Sequence, residues 1–155
     1  MTENEIIGFV SGFPGAVAMT ISADSGAPEI AWGDTFFYYD PEGTLEARPR
    51  QPFATIVTKD YDGYDTASDL NRQGVFRLNI HVGSGEFQRL VGFPPKEHAE
   101  HHAGIDYTVE DRVIPHPVYA RQGWIAILNP GEQVRPLLTE AHARAVAHHR
   151  PLRAS

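Results

Sequence analysis

At 155 residues, 41% of them hydrophobic and 21% charged, the chain has the size and mix of a single globular domain over 1–155 that buries its own core. It contains no cysteine, which excludes disulfides, thiolate nucleophiles and cysteine-ligated zinc or iron–sulfur centres. With 13 basic residues against 20 acidic ones the formal net charge is −7, the wrong sign for a surface that gathers nucleic-acid phosphates.

The first predicted element is a helix. Between residues 3 and 13, Ile6, Ile7, Phe9, Val10 and Phe13 fall largely on one face at helical spacing, and the Phe-Pro-Gly that follows stops the run. The same stretch has early acidic residues and no basic n-region, so it does not read as a signal peptide. No apolar run approaches the about 18 residues of a membrane span. The expectation is a soluble cytoplasmic protein without membrane contact.

Four strands come next: AVAMTIS (16–22), TFFYYD (35–40), FATIVTKD (53–60) and VFRLNIHV (75–82). They are separated by turn chemistry such as ADSGAPE, DPEG and the polar loop YDGYDTASDLNRQG. SGEFQRLVGF (84–93) predicts a short helix with Phe87, Leu90 and Val91 apolar. Residues 94–122 hold no strong pattern and are expected to run as an excursion across the surface, after which WIAILN (124–129) adds a strand. A final helix is expected to open with Asn129 as cap, Pro130 first and Glu132 third, a near capping box. Its apolar stripe is Val134, Leu137, Leu138, Ala141 and Ala145. Pro136 is awkward for that start, so a later start or a kinked first turn stays open.

This order predicts an α+β fold: one antiparallel sheet of about five strands, with the N- and C-terminal helices packed on one face. Ile6, Phe9, Val10, Leu78, Ile80, Leu137 and Leu138 are the expected core.

Strand alternation points to a binding face. In VFRLNIHV, Phe76, Leu78 and Ile80 share one side, while Arg77, Asn79 and His81 share the other. The preceding strand adds either Thr55 and Lys59 or Thr58 and Asp60, depending on register. Aromatic residues are dense nearby. A small molecule or peptide would meet Trp32, Tyr38, Lys59, Arg77, Asn79, His81, His116, Tyr119 and Trp124, rings for walls and a few polar groups for orientation. The competing explanation is an ordinary solvent-facing sheet.

His116 stands between Pro115 and Pro117, which hold its backbone extended and its imidazole in one place. It and His81 are the acid–base candidates if the protein is an enzyme, although a stiff connection into the next strand explains the prolines as well. There is no nucleophile elbow, P-loop or dinucleotide fingerprint. The loop acids Asp60, Asp62, Asp65 and Asp69 lack the EF-hand pattern, and Asp65 or Ser68 is expected to cap a turn. His98, His101 and His102 have helical spacing that can offer two imidazoles to zinc or nickel, but an exposed polar stretch is the simpler expectation. No metal and no cofactor are expected. The only basic stretch is the tail from Ala141 with Arg144, Arg150 and Arg153, and nucleic-acid binding is not expected.

Two resemblances add to this. EIIGFVSGFPGA at the start and VYARQGWIAILNPGEQVRPLLTEAHARAV at the end resemble the MmcQ/YjbR-like superfamily. More closely, EIAWGDTFFYY, PFATIVTKDY, FRLNI, PHPVYARQGW and NPG resemble an uncharacterised bacterial family, domain-of-unknown-function family 6194. The superfamily resemblance implies a frataxin-like (CyaY-like) α+β fold. It also implies two alternatives to a binding domain: a small enzyme of specialised metabolism and a DNA-binding module. It supplies no catalytic residues to carry over.

Overall fold

Thr2 sets the start of the first helix. Its hydroxyl accepts from the Glu5 N–H (3.1 Å) while the Glu5 carboxylate accepts from the Thr2 N–H (3.0 Å), a reciprocal capping box. The helix, α1 (Glu3–Ser11), buries Ile6 and Val10 and leaves Phe9 half-covered. The computed structural model describes residues 1–151. It continues with β1 (Ala16–Thr20), β2 (Thr35–Tyr39), β3 (Ala54–Val57), β4 (Arg77–His81), α2 (Ser84–Val91) and α3 (His98–His101). The chain then forms β5 (Ile114–Pro115), β6 (Trp124–Leu128) and α4 (Val134–His148).

The fold is α+β, and its strands form one antiparallel sheet in the order β1-β2-β3-β4-β6-β5. The sheet has six strands rather than about five. The additional one, β5, is two residues ending in a proline, too short to show alternation, and it pairs Ile114 with Ala126.

Pairing lines up Ala18, Phe37, Ala54, Ile80 and Ile125 in one row across the sheet, and Ile56, Leu78 and Ile127 in another. These rows form a core with Ile6, Val10, Val134, Leu137, Leu138 and Ala141 from the two terminal helices. α1 packs on β1 and α4, and α4 packs on β2 and β4. Each fully buried Leu or Ile contributes about 1.5–3 kcal/mol through the surface it removes from water. Where β4 ends and β6 begins the backbones nearly touch: a Cβ on Gly123, at φ 87°, would lie 3.0 Å from the Gly83 Cα. Glycine is required there.

α4 starts later than the Asn129-Pro130 signal predicts. Gln133 is the cap residue and Pro136 the third helical residue, where a missing N–H costs no intrahelical bond. Asn129 is in the left-handed region (φ 42°) and ties strand ends instead. Its Oδ1 accepts from the Phe76 N–H (3.1 Å) and its Nδ2 donates to the Gly74 carbonyl (3.0 Å).

Residues 94–122, expected as an excursion across the surface, are mostly exposed or half-covered, while His98, Tyr107, Ile114, Pro115, His116 and Ala120 among them are buried. Tyr107 and Ile114 join Leu70, Ala126 and Leu128 in a second apolar cluster. His98 lies in the four-residue α3 and Ile114 and Pro115 in the two-residue β5, elements too short to show a period. Among the described residues, no helix is long and apolar enough to cross a membrane.

Candidate functional site

The face opposite the terminal helices carries Phe36 and Tyr38 from β2, Thr55 and Val57 from β3, Arg77, Asn79 and His81 from β4, and Trp124 from β6. Together with surrounding loops they line a cavity of about 880 Å³, within the range of small-molecule sites. One loop, 58–76, contributes Tyr61, Tyr64 and Asp65; another contributes His116, Tyr119 and Gln122. The Tyr64 and Tyr119 hydroxyls share a hydrogen bond that joins the two loops. Tyr61 donates to the buried Asp34 carboxylate, whose other oxygen accepts from the Thr58 N–H (3.2 Å).

Arg77 is 0% exposed, so this face is not an ordinary solvated sheet surface. Its Nη1 and Nη2 form a bidentate pair with Asp65 (3.1 and 2.5 Å). Nη1 also donates to Ser68 Oγ (3.0 Å), and Nε donates to Asn79 Oδ1 (2.8 Å). Asn79 in turn donates to Thr55 Oγ1 (2.9 Å). Asp65 and Ser68, one or the other expected to cap a turn, thus hold a buried guanidinium.

His116 is 3% exposed. Its Nδ1 accepts two main-chain bonds, from the Val118 and Tyr119 N–H groups, both at 3.0 Å. Its Nε2 lies 3.5 Å from Arg77 Nη2. Burial first, then the charges of Arg77 and His98, hold its pKa well below the usual histidine value, so the ring is neutral. His81 is half-buried, and its ring lies 5.4 Å from that of Trp124. The Gln122 carbonyl can only accept, so His81 Nε2 donates to it (3.0 Å) and Nδ1 keeps its lone pair. Burial, then the nearby Arg144 and His148, lowers the His81 pKa as well.

Of the residues picked from sequence, Tyr38, Arg77, Asn79, His81, His116, Tyr119 and Trp124 all line the cavity. Trp32 and Lys59 do not. β3 ends at Val57, so alternation does not extend to Lys59, whose Nζ donates to the Trp32 carbonyl (2.8 Å). The Trp32 indole donates to the Ala27 carbonyl (3.1 Å). Asp65, Tyr61 and Tyr64 were not among the sequence candidates. A buried arginine demands a carboxylate, which points to the acidic loop but not to one of its four aspartates.

The histidine cluster also divides. His98 is buried, and its Nε2 and His102 Nδ1 both contact the Tyr107 hydroxyl (2.8 and 2.7 Å), while His101 stacks on Phe93 at 4.0 Å. Burial pushes the Tyr107 hydroxyl up to about 12. Glu97, Glu100 and His101 place one ligand atom each within 4.8 Å of one another, an arrangement common at acidic surfaces without an ion. In the basic tail, the Arg144 guanidinium lies over Gly83 and the Arg150 carbonyl accepts from Arg48 (2.7 Å); Arg153 lies outside the described residues.

A model for a family of unknown function (DUF6194) matches residues 1–154. No curated protein and no solved structure matches the chain.

Proposed function

The chain belongs to that family of unknown function, and we propose that it is a binding protein for a small molecule or short peptide taken into the polar and aromatic cavity of the sheet. One observation carries this reading: a buried ion pair, Arg77 fully and Asp65 all but 8%, lies beneath an aromatic-walled concavity. Such a pair gives little or no stability over an apolar filling of the same volume, so stability alone does not account for it. A thermal-shift screen of small aromatic molecules, with hits checked for turnover, tests the proposal. Saturable stabilisation without turnover is expected. A screen in which every stabilising compound acts equally on a Tyr38→Ala/Trp124→Ala variant would remove the cavity from consideration.

The enzyme alternative is favoured by one feature, the His81 Nδ1 lone pair in a neutral ring at the cavity wall. Turnover of a hit that disappears in His81→Ala, with binding retained, would establish it. A CyaY-like fold and a place in the MmcQ/YjbR-like superfamily belong to the same proposal. They are supported by one antiparallel sheet carrying both terminal helices on one face.

A further inference from the structure

We propose that the cavity seats an acyl oxygen of its ligand, a carboxylate or an amide carbonyl, between His116 Nε2 and Arg77 Nη2. This rests on the cavity being a ligand site, and it names the chemistry that site takes.

The neutral imidazole carries one proton and has one acceptor nitrogen. At His116 the acceptor is Nδ1, because two main-chain N–H groups, those of Val118 and Tyr119, point at it from 3.0 Å and main-chain nitrogens cannot give up their role. The proton therefore sits on Nε2. There it meets Arg77 Nη2 at 3.5 Å, and a guanidinium nitrogen only donates. Donor faces donor.

Neither side can turn away. Four of the five Arg77 N–H groups are occupied by Asn79, Ser68 and both oxygens of Asp65, which fixes the plane of the guanidinium. The His116 ring is held by its two main-chain bonds. One N–H on each residue is thus left without an acceptor among the described residues, at a depth where an unmade hydrogen bond costs most. Both residues line the cavity. An oxygen presented from that side accepts from both.

The neighbouring groups narrow the class of oxygen. The Asp65 carboxylate already neutralises Arg77 and bonds the same Nη2 at 2.5 Å, so a dianionic phosphate would meet a fixed negative charge. A carboxylate or carbonyl oxygen carries little or single charge, and its two lone pairs accept two converging N–H groups. The rings of Phe36, Tyr38 and Trp124 on the same wall suit a flat apolar body attached to that acyl group.

His116→Asn separates the two jobs of the ring. An asparagine Oδ1 accepts from the N–H groups two and three residues on, as Nδ1 does here, and brings no donor to the Nε2 position. Three probes are titrated into the wild type and this variant: naphthoate, naphthamide, and methylnaphthalene, which has the same rings and no acceptor. The expected result is about a tenfold or greater loss of naphthoate and naphthamide affinity in the variant, with methylnaphthalene unchanged. Equal binding of all three to both proteins would remove the oxygen seat and leave the cavity as an apolar site. Failure of all three to bind the wild type would contradict the cavity and the seat together. Long-range proton–nitrogen NMR on the wild type needs no variant. It is expected to show the Nε2–H tautomer of His116, and an Nδ1–H tautomer would overturn the proposal whatever the probes do.

Discussion

Removing a guanidinium from water costs several kcal/mol, and Arg77 offsets that through Asp65, Ser68 and Asn79 alone among the described residues. Arg77→Met leaves the Asp65 carboxylate buried without its cation and is expected to lower unfolding free energy by about 3–5 kcal/mol in urea titration. The double variant Arg77→Met/Asp65→Leu should regain most of that loss. If it does not, the cost lies in packing rather than in the stranded charge. His116 makes a second, pH-dependent demand. Its folded pKa is depressed, by burial first, while in the unfolded chain it titrates near about 6.5. Below that pH the unfolded state binds more protons than the folded state. The contribution is therefore complete above about pH 6.5 and is lost as pH falls toward the depressed value, with a slope of at most about 1.4 kcal/mol per pH unit. His98 and His81 are depressed in the same direction and add to the slope. His116→Asn should flatten the stability curve between pH 6.5 and pH 5 by up to one proton's worth. An unchanged slope would mean that the folded His116 ring is charged there.

Among the elements, α1 depends on the Thr2–Glu5 capping box for its first turn. Thr2→Ala is expected to cost about 0.5–2 kcal/mol by thermal or urea unfolding. A null effect would mean that the Pro130 carbonyl, which accepts from the Met1 amino group at 2.7 Å, holds the helix start by itself. Elements with a period were readable from sequence: α1, α2 and the five longer strands fall within the predicted segments, and alternation correctly placed Arg77, Asn79 and His81 together on the face opposite the helices. What failed was local chemistry with more than one outlet. Asn129-Pro130 looks like a helix start, but a left-handed asparagine tying strand ends uses the same residues. The segment 94–122, β5 included, shows no period, because its elements are only two to four residues long. Pairings across loops were equally hidden. Nothing in the spacing of Asp60, Asp62, Asp65 and Asp69 says which one meets Arg77 or that Tyr64 reaches Tyr119.

Taken whole, the molecule carries a formal charge of −7, with 13 basic residues against 20 acidic ones, and the Arg144 guanidinium is packed over Gly83. Mixed-sequence DNA duplex is expected not to bind at physiological salt in an anisotropy titration. Sub-micromolar, salt-sensitive binding weakened by Arg144→Ala/Arg150→Ala would contradict that. The ligand cavity itself is open to an internal control, because the chain has two tryptophans: Trp124 lines the cavity and Trp32 does not. Fluorotryptophan-labelled protein should give two fluorine resonances, assigned with Trp32→Phe. On titration with naphthoate the Trp124 line is expected to shift saturably while the Trp32 line stays in place. A shift confined to Trp32, or no shift of Trp124 at saturating naphthoate, would contradict a ligand site on this face of the sheet.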